Sequence, residues 1–186
     1  MADIRRPEFL RSNLLGELLR WNKHTTDNID LLNRQLDEKQ RMMLLLTANQ
    51  SLANNSDVEL IFSGVCTAYS VGETLSQSEP SYIRVGRTGD YSIRGHVSFA
   101  ANATGQRCAY LNVNDERVAA VEHASSGSAF FTQLQVHIVL PLREGDLIGL
   151  SALQASGGAL NAIGAGELSS PILAGRSALI VDWVGA

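Results

Sequence analysis

The chain has little cysteine, little charge, no basic cluster and no long apolar run, and each shortage excludes something. Two cysteines among 186 residues cannot build a disulfide scaffold, and Cys66 and Cys108 form no Cys-x-x-Cys or Cys/His ligand spacing. They read as buried thiols, with a single bridge between them as the alternative. Charged residues make up 18% against 45% hydrophobic. That balance excludes wholesale disorder and is low for a monomer that covers itself with polar side chains, so some apolar surface is expected to meet other chains. With a net charge of −4 and scattered Lys and Arg, the chain lacks the basic stripe that neutralises phosphates, and nucleic-acid binding is set aside. No apolar run reaches the roughly 20 residues that span a bilayer, so no membrane insertion is expected. The opening "MADIRRPEFLRSNLLGELLRWNK" has charges before and inside its leucine cluster and no small-residue cleavage pattern, which argues against a secretory leader.

Catalytic signatures are missing too. His24, His96, His123 and His137 are dispersed. His96 and His137 fall on the polar faces of two expected strands and could meet across a sheet, where neutral imidazole would suit a transition ion. No carboxylate or nucleophile arrives at a diagnostic spacing, however, and exposed polar strand residues are the plainer reading. Asp115, Glu116 and Asp146 read as solvated turn carboxylates, because no EF-hand-like ligand spacing exists. Gly164 to Gly166 lacks the strand-to-helix setting of a phosphate loop, and there is no Gly-x-Ser-x-Gly elbow. No catalytic residue, metal ligand or cofactor is expected.

What is present divides near residue 50. Before it, Leu, Glu, Gln, Lys and Arg dominate, with helix-forming propensity; after it come Val, Ile, Thr, Tyr, Ser and Gly in short alternating runs, which read as strands. The expected organisation is a helical anchor or stalk over 1–51, a polar hinge "LANNSD" over 52–57, and a β head over 58–186. A heptad on the stalk places Leu15, Asn22, Ile29, Leu36 and Met43 at one seam position and Leu18, Thr25, Leu32, Lys39 and Leu46 at the other. The apolar entries make a coiled coil possible, and Asn22, Thr25 and Lys39 interrupt it. Alternatively Thr26 or Asp27 caps a second helix, or the helices fold back on the head. Trp21 is expected to pack beside Leu18, or to serve as an aromatic anchor where the stalk docks.

In the head, Leu134, Val136, Ile138, Leu140 and Leu142 occupy even positions while Gln133, Gln135 and His137 occupy odd ones, so an extended strand puts every aliphatic group on one face. Burying five such groups contributes roughly 10 kcal/mol gross, which requires a substantial core. "REGD", Arg143 to Asp146, supplies a reversal, and "LIGLSAL" is expected to return as the neighbouring hairpin strand. Tyr91, Ile93, Val97 and Phe99 alternate with Ser92, Arg94, His96 and Ser98 in the same way. "RCAYLNV" and "RVAAVEH" read as a pair joined at "NDE". "SALIVDWV" is apolar on both faces except at Asp182, as in a central strand, with Trp183 in the core or on a symmetry axis. About eight strands in all suit a two-sheet sandwich or jelly roll. "LQASGGALNAIGAGELSSPILAG", residues 153–175, reads as loops around one weak strand.

Laid in order, residues 58–184 resemble the globular-head jelly roll shared by complement globular domains and the tumour necrosis factor superfamily. The pieces that carry the resemblance are "GDYSIRGHVSFA", "RCAYLNVNDE", "SGSAFFTQLQVHIVLPLREGDLIGLSA" and the final apolar strand, together about two thirds of the chain. There is no collagen repeat, and Asn114-Asp115 stands where the family usually has Asn-Gly. The resemblance implies a sandwich that assembles as a homotrimer and has no catalytic activity, with Tyr91, Phe99, Tyr110, Leu134, Val136, Ile138, Leu140 and Trp183 in the core or in trimer contacts. A short helical anchor carrying such a head looks, in layout, like a bacteriophage fibre, knob or head-decoration protein. On that likeness the expected partners are a second and third copy, a capsid or tail protein through residues 1–50, and a host-surface receptor or glycan, with the chain located in the virion. The alternative is a soluble trimeric receptor- or glycan-binding module of the cytokine or complement type.

Overall fold

The computed structural model describes residues 23, 25–28, 40–65, 74–164 and 176–185, the side chains of 64 and 65 excepted. The chain divides into two compact units, Met1–Asp37 and Glu38–Ala186. In the first, residues 23 and 25–28 are helical, so Thr26 and Asp27 lie within a helical stretch. The seam residues Leu15, Leu18, Trp21, Ile29, Leu32 and Leu36 lie outside the described residues, and the stalk rests on sequence pattern alone.

In the second unit the described residues form thirteen strands: β1 (Arg41–Leu45), β2 (Gln50–Leu52), β3 (Asp57–Glu59), β4 (Gly64–Val65), β5 (Leu75–Ser78), β6 (Tyr82–Val85), β7 (Gly89–Phe99), β8 (Gln106–Val113), β9 (Glu116–Ala124), β10 (Thr132–Leu142), β11 (Leu147–Gln154), β12 (Leu160–Ala162) and β13 (Ala178–Gly185). A seven-stranded sheet runs β2-β12-β7-β13-β1-β4, with β10 paired to the other side of β7; a six-stranded sheet runs β5-β6-β11-β8-β9, with β3 added to β11. All these ladders are antiparallel. The result is a mainly β antiparallel sandwich.

The sheets close on each other through alternate side chains. Tyr91, Ile93, Val97 and Phe99 of β7, Leu134, Val136 and Leu142 of β10, and Leu179, Val181 and Trp183 of β13 meet Ala109 and Leu111 of β8 and Ile148, Leu150 and Ala152 of β11; all are buried. Ile138 and Leu140 pack against this core but remain half-buried. The sheets come close at Gly95, where an added Cβ would lie 2.5 Å from Leu150 Cδ1 and 2.9 Å from Val136 Cγ1.

Three expectations are corrected. The first is the extent of the helix. Residues 41–45 are a strand whose register runs from Arg41 opposite Asp182 to Leu45 opposite Ala178. Met42, Leu44 and Leu46 enter the core, while Met43 faces outward, half-buried, opposite Ile180. A run such as Met-Met-Leu-Leu-Leu has helical propensity, but a vacant ladder on β13 and a core that accepts every second side chain outweigh it. Met43 and Leu46 therefore belong to the head and to no coiled-coil seam.

The second correction concerns the hinge. Leu52 is fully buried and pairs with Leu160, Asn54 bridges to Gln154, and Asp57 opens β3. Residues 52–57 carry the chain from one sheet to the other, with Asn55 in the left-handed region (φ 57°) making the corner. The head begins at about residue 40, before the expected boundary at 58.

The third concerns the hairpin. β10 pairs with β7, whereas β11 pairs with β3, β6 and β8. The turn at Arg143–Asp146, with Gly145 at φ 95°, crosses between the sheets. Its hydrogen bonds explain why. Gly145 N donates to Val85 O (2.7 Å) and Val85 N to Asp146 O (2.8 Å), while Asn114 Nδ2 donates to Asp146 Oδ1 (2.9 Å) and Leu147 N to Asn114 Oδ1 (2.9 Å). These bonds seat the start of β11 between β6 and the β8–β9 turn. That turn is the hairpin expected at "NDE", and both Asn114 (φ 51°) and Asp115 (φ 66°) are left-handed, as a two-residue type I′ turn requires.

Candidate functional site

Two surfaces of the head stand out, a sheet face that no described residue covers and a cluster of loops at one end. The face is the outward side of β1, β7, β10 and β13. Alternation that sends Tyr91, Val136 and Val181 inward sends Ser92, Arg94 and His96, Gln133, Gln135, His137 and Val139, and Ile180, Asp182 and Val184 outward. Val139 is 54% exposed and Val184 60%. At the centre Asp182 accepts from Arg94 Nη2 (2.5 Å) and is also paired with Arg41. β13 thus has the central place in the ladder that its sequence suggests, yet one of its faces is open.

His96 and His137 both line a cleft of about 170 Å³ on this face, with Arg94, Gly95, Gln135, Val136 and Ile180. The register sets His96 opposite Gln135 and His137 opposite Arg94, so the two histidines are diagonal neighbours. Their rings are tied to different partners. His96 Nδ1 lies 2.5 Å from the carbonyl of Arg176, which requires that nitrogen to carry the proton, and His137 Nε2 lies 3.0 Å from Ser92 Oγ. Among the described residues no three His, Cys, Asp or Glu side chains are grouped to hold a metal.

β10 is the edge of one sheet and β9 of the other, and Val118, Ala119 and Val121 of β9, with Ile138 and Leu140 of β10, are only half-buried against the core. The edge is apolar and the neighbouring face carries two exposed valines.

The remaining expected contact residues lie elsewhere. Trp183 is buried, beneath the Arg87 guanidinium 4.7 Å from its ring. Gly89 makes room for it, because a Cβ there would come 2.6 Å from Trp183 Nε1. Tyr91 donates to the Arg87 carbonyl (2.5 Å); burial pushes its hydroxyl up to about 12, with Arg87 pulling the other way. Tyr110, expected in the core or a trimer contact, is on the outer side of the six-stranded sheet, half-buried under Arg117 (3.8 Å). Its position on β8 alternates with the inward Ala109 and Leu111. Nearby, Asp57, Glu59, Tyr82, Asn112, Asp115 and Ser151 line a shallow groove, where hydrogen bonding to Glu59 raises the Tyr82 phenol above its ordinary range. Cys108 is a buried free thiol, and Cys66 lies outside the described residues.

The second surface is built by loops 100–105, 125–131 and 155–159, with sequences AANATG, SSGSAFF and ASGGA. Ser125 N donates to Gly105 O (3.0 Å) and Ala155 N to Gln106 O (3.0 Å), and Asn102 bridges to Gly127. Gly105 is left-handed (φ 73°), and a Cβ on it would sit 1.7 Å from Ala155 O, so no other residue fits there. Beneath them Arg107 is fully buried. Its guanidinium donates to the carbonyls of Thr104 (3.0 Å) and Gln106 (2.9 Å), and burial lowers its pKa. Phe130 is 69% exposed and Phe131 38%. Sequence reasoning passed over this pair; the signal was two adjacent aromatics inside a Ser/Gly loop, which strand alternation cannot bury together.

No family model matches the sequence, and no curated protein matches it. Solved structures do. The chain is similar to murine APRIL (crystal structure at pH 8.0), with 17% identity, a TM-score of 0.54, and 78% of this chain and 98% of that one covered. It is also similar to an Eiger TNF from S. frugiperda, with 11% identity, a TM-score of 0.56, and 78% and 92% covered. At these identities the likeness establishes the fold, a TNF-like jelly roll.

Proposed function

We propose that the head is a non-enzymatic homotrimeric binding module carried on a virus particle. The observation that carries the trimer is a pair of unlike surfaces side by side, the apolar β9/β10 edge and the uncovered outward face, on which Val139 and Val184 stand exposed among polar side chains. A two-fold dimer needs one self-complementary patch, whereas unlike patches make a head-to-tail contact, which forms a ring when its rotation closes and a filament when it does not. The TNF-like fold supports three as the number of copies. Completing the burial of these valines, 54% and 60% exposed, contributes about 1 to 2 kcal/mol each, and the contact repeats three times in a closed ring.

The particle setting has weaker support, namely layout. A separate unit, Met1–Asp37, precedes the head, and the chain enters the head at Gln40, whose carbonyl accepts from Trp183 N (2.9 Å), at the end of the sandwich away from the three loops. Residues 1–39 then attach the protein to a capsid or tail, and the loops meet a host surface. A soluble trimeric binding module shares the same assembly and differs only in lacking the particle.

Light scattering on the purified full chain tests the assembly. Three chain masses are expected for the native protein, and a single chain mass for the Val139→Arg, Val184→Arg double variant with its circular dichroism unchanged; both sites are exposed, so the head tolerates the change. A native mass of one chain at every concentration refutes the trimer. Immunodetection of the head on purified virions tests the particle setting, and its absence there refutes it.

A further inference from the structure

We infer that the tip formed by loops 100–105, 125–131 and 155–159 is a binding site for an uncharged carbohydrate, with Phe130 and Phe131 as its stacking platform. The inference deepens the reading of the head as an outward-facing binding module and rests on it.

The first observation is rigidity. All three loops are cross-bonded at the backbone, and further bonds fix them internally. Thr104 N donates to Asn102 Oδ1 (2.8 Å), Ser126 N to Thr132 Oγ1 (2.9 Å), Ser156 N to Gln154 Oε1 (2.8 Å) and Gly157 N to Asn54 Oδ1 (2.8 Å). The Arg107 guanidinium holds the carbonyls of Thr104 and Gln106, where loop 100–105 runs into β8, from below. A loop cluster held this way presents its aromatics with little ordering cost on binding.

The second observation is exposure. An isolated apolar side chain in water needs no explanation, but two successive phenylalanines, 69% and 38% exposed on one loop, put apolar surface where binding residues are commonly found.

The third observation selects the partner. None of the eighteen positions in AANATG, SSGSAFF and ASGGA is charged, and Arg107, whose guanidinium reaches the carbonyls of Thr104 and Gln106 from below, is buried. Polyanions such as nucleic acids and sulfated or sialylated glycans need exposed Lys or Arg, and acidic or basic peptides need opposite charge. What the tip offers is aromatic ring faces beside small hydroxyls, amides and backbone groups. That set matches a pyranose, whose C–H face packs on an aromatic ring while its hydroxyls take neutral hydrogen bonds.

The test uses the full chain and its Phe130→Ala, Phe131→Ala variant, titrated by calorimetry and saturation-transfer NMR with cellohexaose, maltohexaose and chitohexaose, and with heparin as the charged probe. The expected result is that at least one neutral oligosaccharide binds, that binding is insensitive to salt, and that the double variant weakens it by about tenfold or more while keeping its melting temperature and solution mass. The inference is overturned if none of the neutral sugars binds at about 10 mM, if only heparin binds, or if the variant binds as the native chain does. A fall in the variant's solution mass also overturns it, because the pair would then lie between copies. Mass measured on the same samples separates the two readings: a monomer that binds sugar refutes the trimer and leaves the tip standing, and a trimer that binds none refutes the tip alone.

Discussion

Gly95→Ala is the sharpest test of how the two sheets meet. The added methyl would sit 2.5 Å from Leu150 Cδ1, 2.9 Å from Val136 Cγ1 and 3.2 Å from Leu111 Cδ2, where carbon atoms ordinarily sit about 3.5 to 4.0 Å apart. Rotating Leu150 away does not solve the problem, because Leu150, Leu111, Ile93 and Val97 are all fully buried and leave no free volume. Overpacking of this kind costs about 1 to 3 kcal/mol, offset by about 0.4 to 1 kcal/mol from the less flexible unfolded chain. The net is a loss centred on about 1.3 kcal/mol and reaching at most about 2.6, or roughly 3 to 5 °C in Tm at the central value for this chain length. Leu150→Val removes the nearest methyl. Alone it also destabilises, but combined with Gly95→Ala the loss should fall short of the sum by at least about 0.5 kcal/mol, the signature of a direct clash. Urea and thermal unfolding of the four proteins decide the matter. A Gly95→Ala chain as stable as the native one, or strictly additive losses, would refute this account of the sheet contact.

Two further outcomes follow from buried polar groups. Arg107→Ala removes a donor from the carbonyl of Thr104, leaves that of Gln106 with Ala155 N alone and empties a fully buried site, so urea unfolding should show a loss of about 1 to 3 kcal/mol; hydrogen exchange should quicken at residues 102–106, and unchanged protection there would refute the anchoring role. For Tyr91, burial lifts the hydroxyl from 10.0 to about 12, so the folded chain holds the proton more tightly than the unfolded one. Stability is then intact below pH 10 and falls as pH rises from about 10 toward 12. Tyr91→Phe should lose part of that decline in urea midpoints measured across this range, and an unchanged decline would count against the assignment.

How much of this was legible beforehand depended on whether a signal was local. Side-chain alternation is local. It fixed which faces of β7 and β10 point inward, because the sequence period matches the pleat whatever the strand pairs with. The Asn114-Asp115 turn was legible for the same reason. Pairing is not local. The aliphatic run Met42 to Leu46 carries no mark that distinguishes a stalk from a strand, and only the free ladder of β13 decides it. Leu52 looked like part of a polar hinge because its neighbours are Ala and Asn, and its burial depends on β12 a hundred residues away. At the sheet face, alternation identified His96 and His137 as outward residues, but the carbonyl of Arg176 and the hydroxyl of Ser92 that orient them are contributed by other strands or their approaches.

The misread reversal at Arg143–Asp146 bears directly on assembly. Had β11 returned beside β10 as a hairpin, the outer ladder of β10 would be paired. Because the turn instead bonds to Val85 and Asn114, β11 joins β6 and β8, and among the described residues β10 keeps a free edge eleven residues long. Free edges invite uncontrolled strand addition. This one holds Pro141, which lacks an N–H, and sends Gln133, Gln135 and His137 outward, so extension by another β-strand is disfavoured. The half-buried Val118, Val121, Ile138 and Leu140 beside it still gain from being covered by side-chain packing. An edge that resists ladder growth yet rewards contact suits a closed ring of copies better than a fibre, and its origin is the hydrogen bonding of a single four-residue turn.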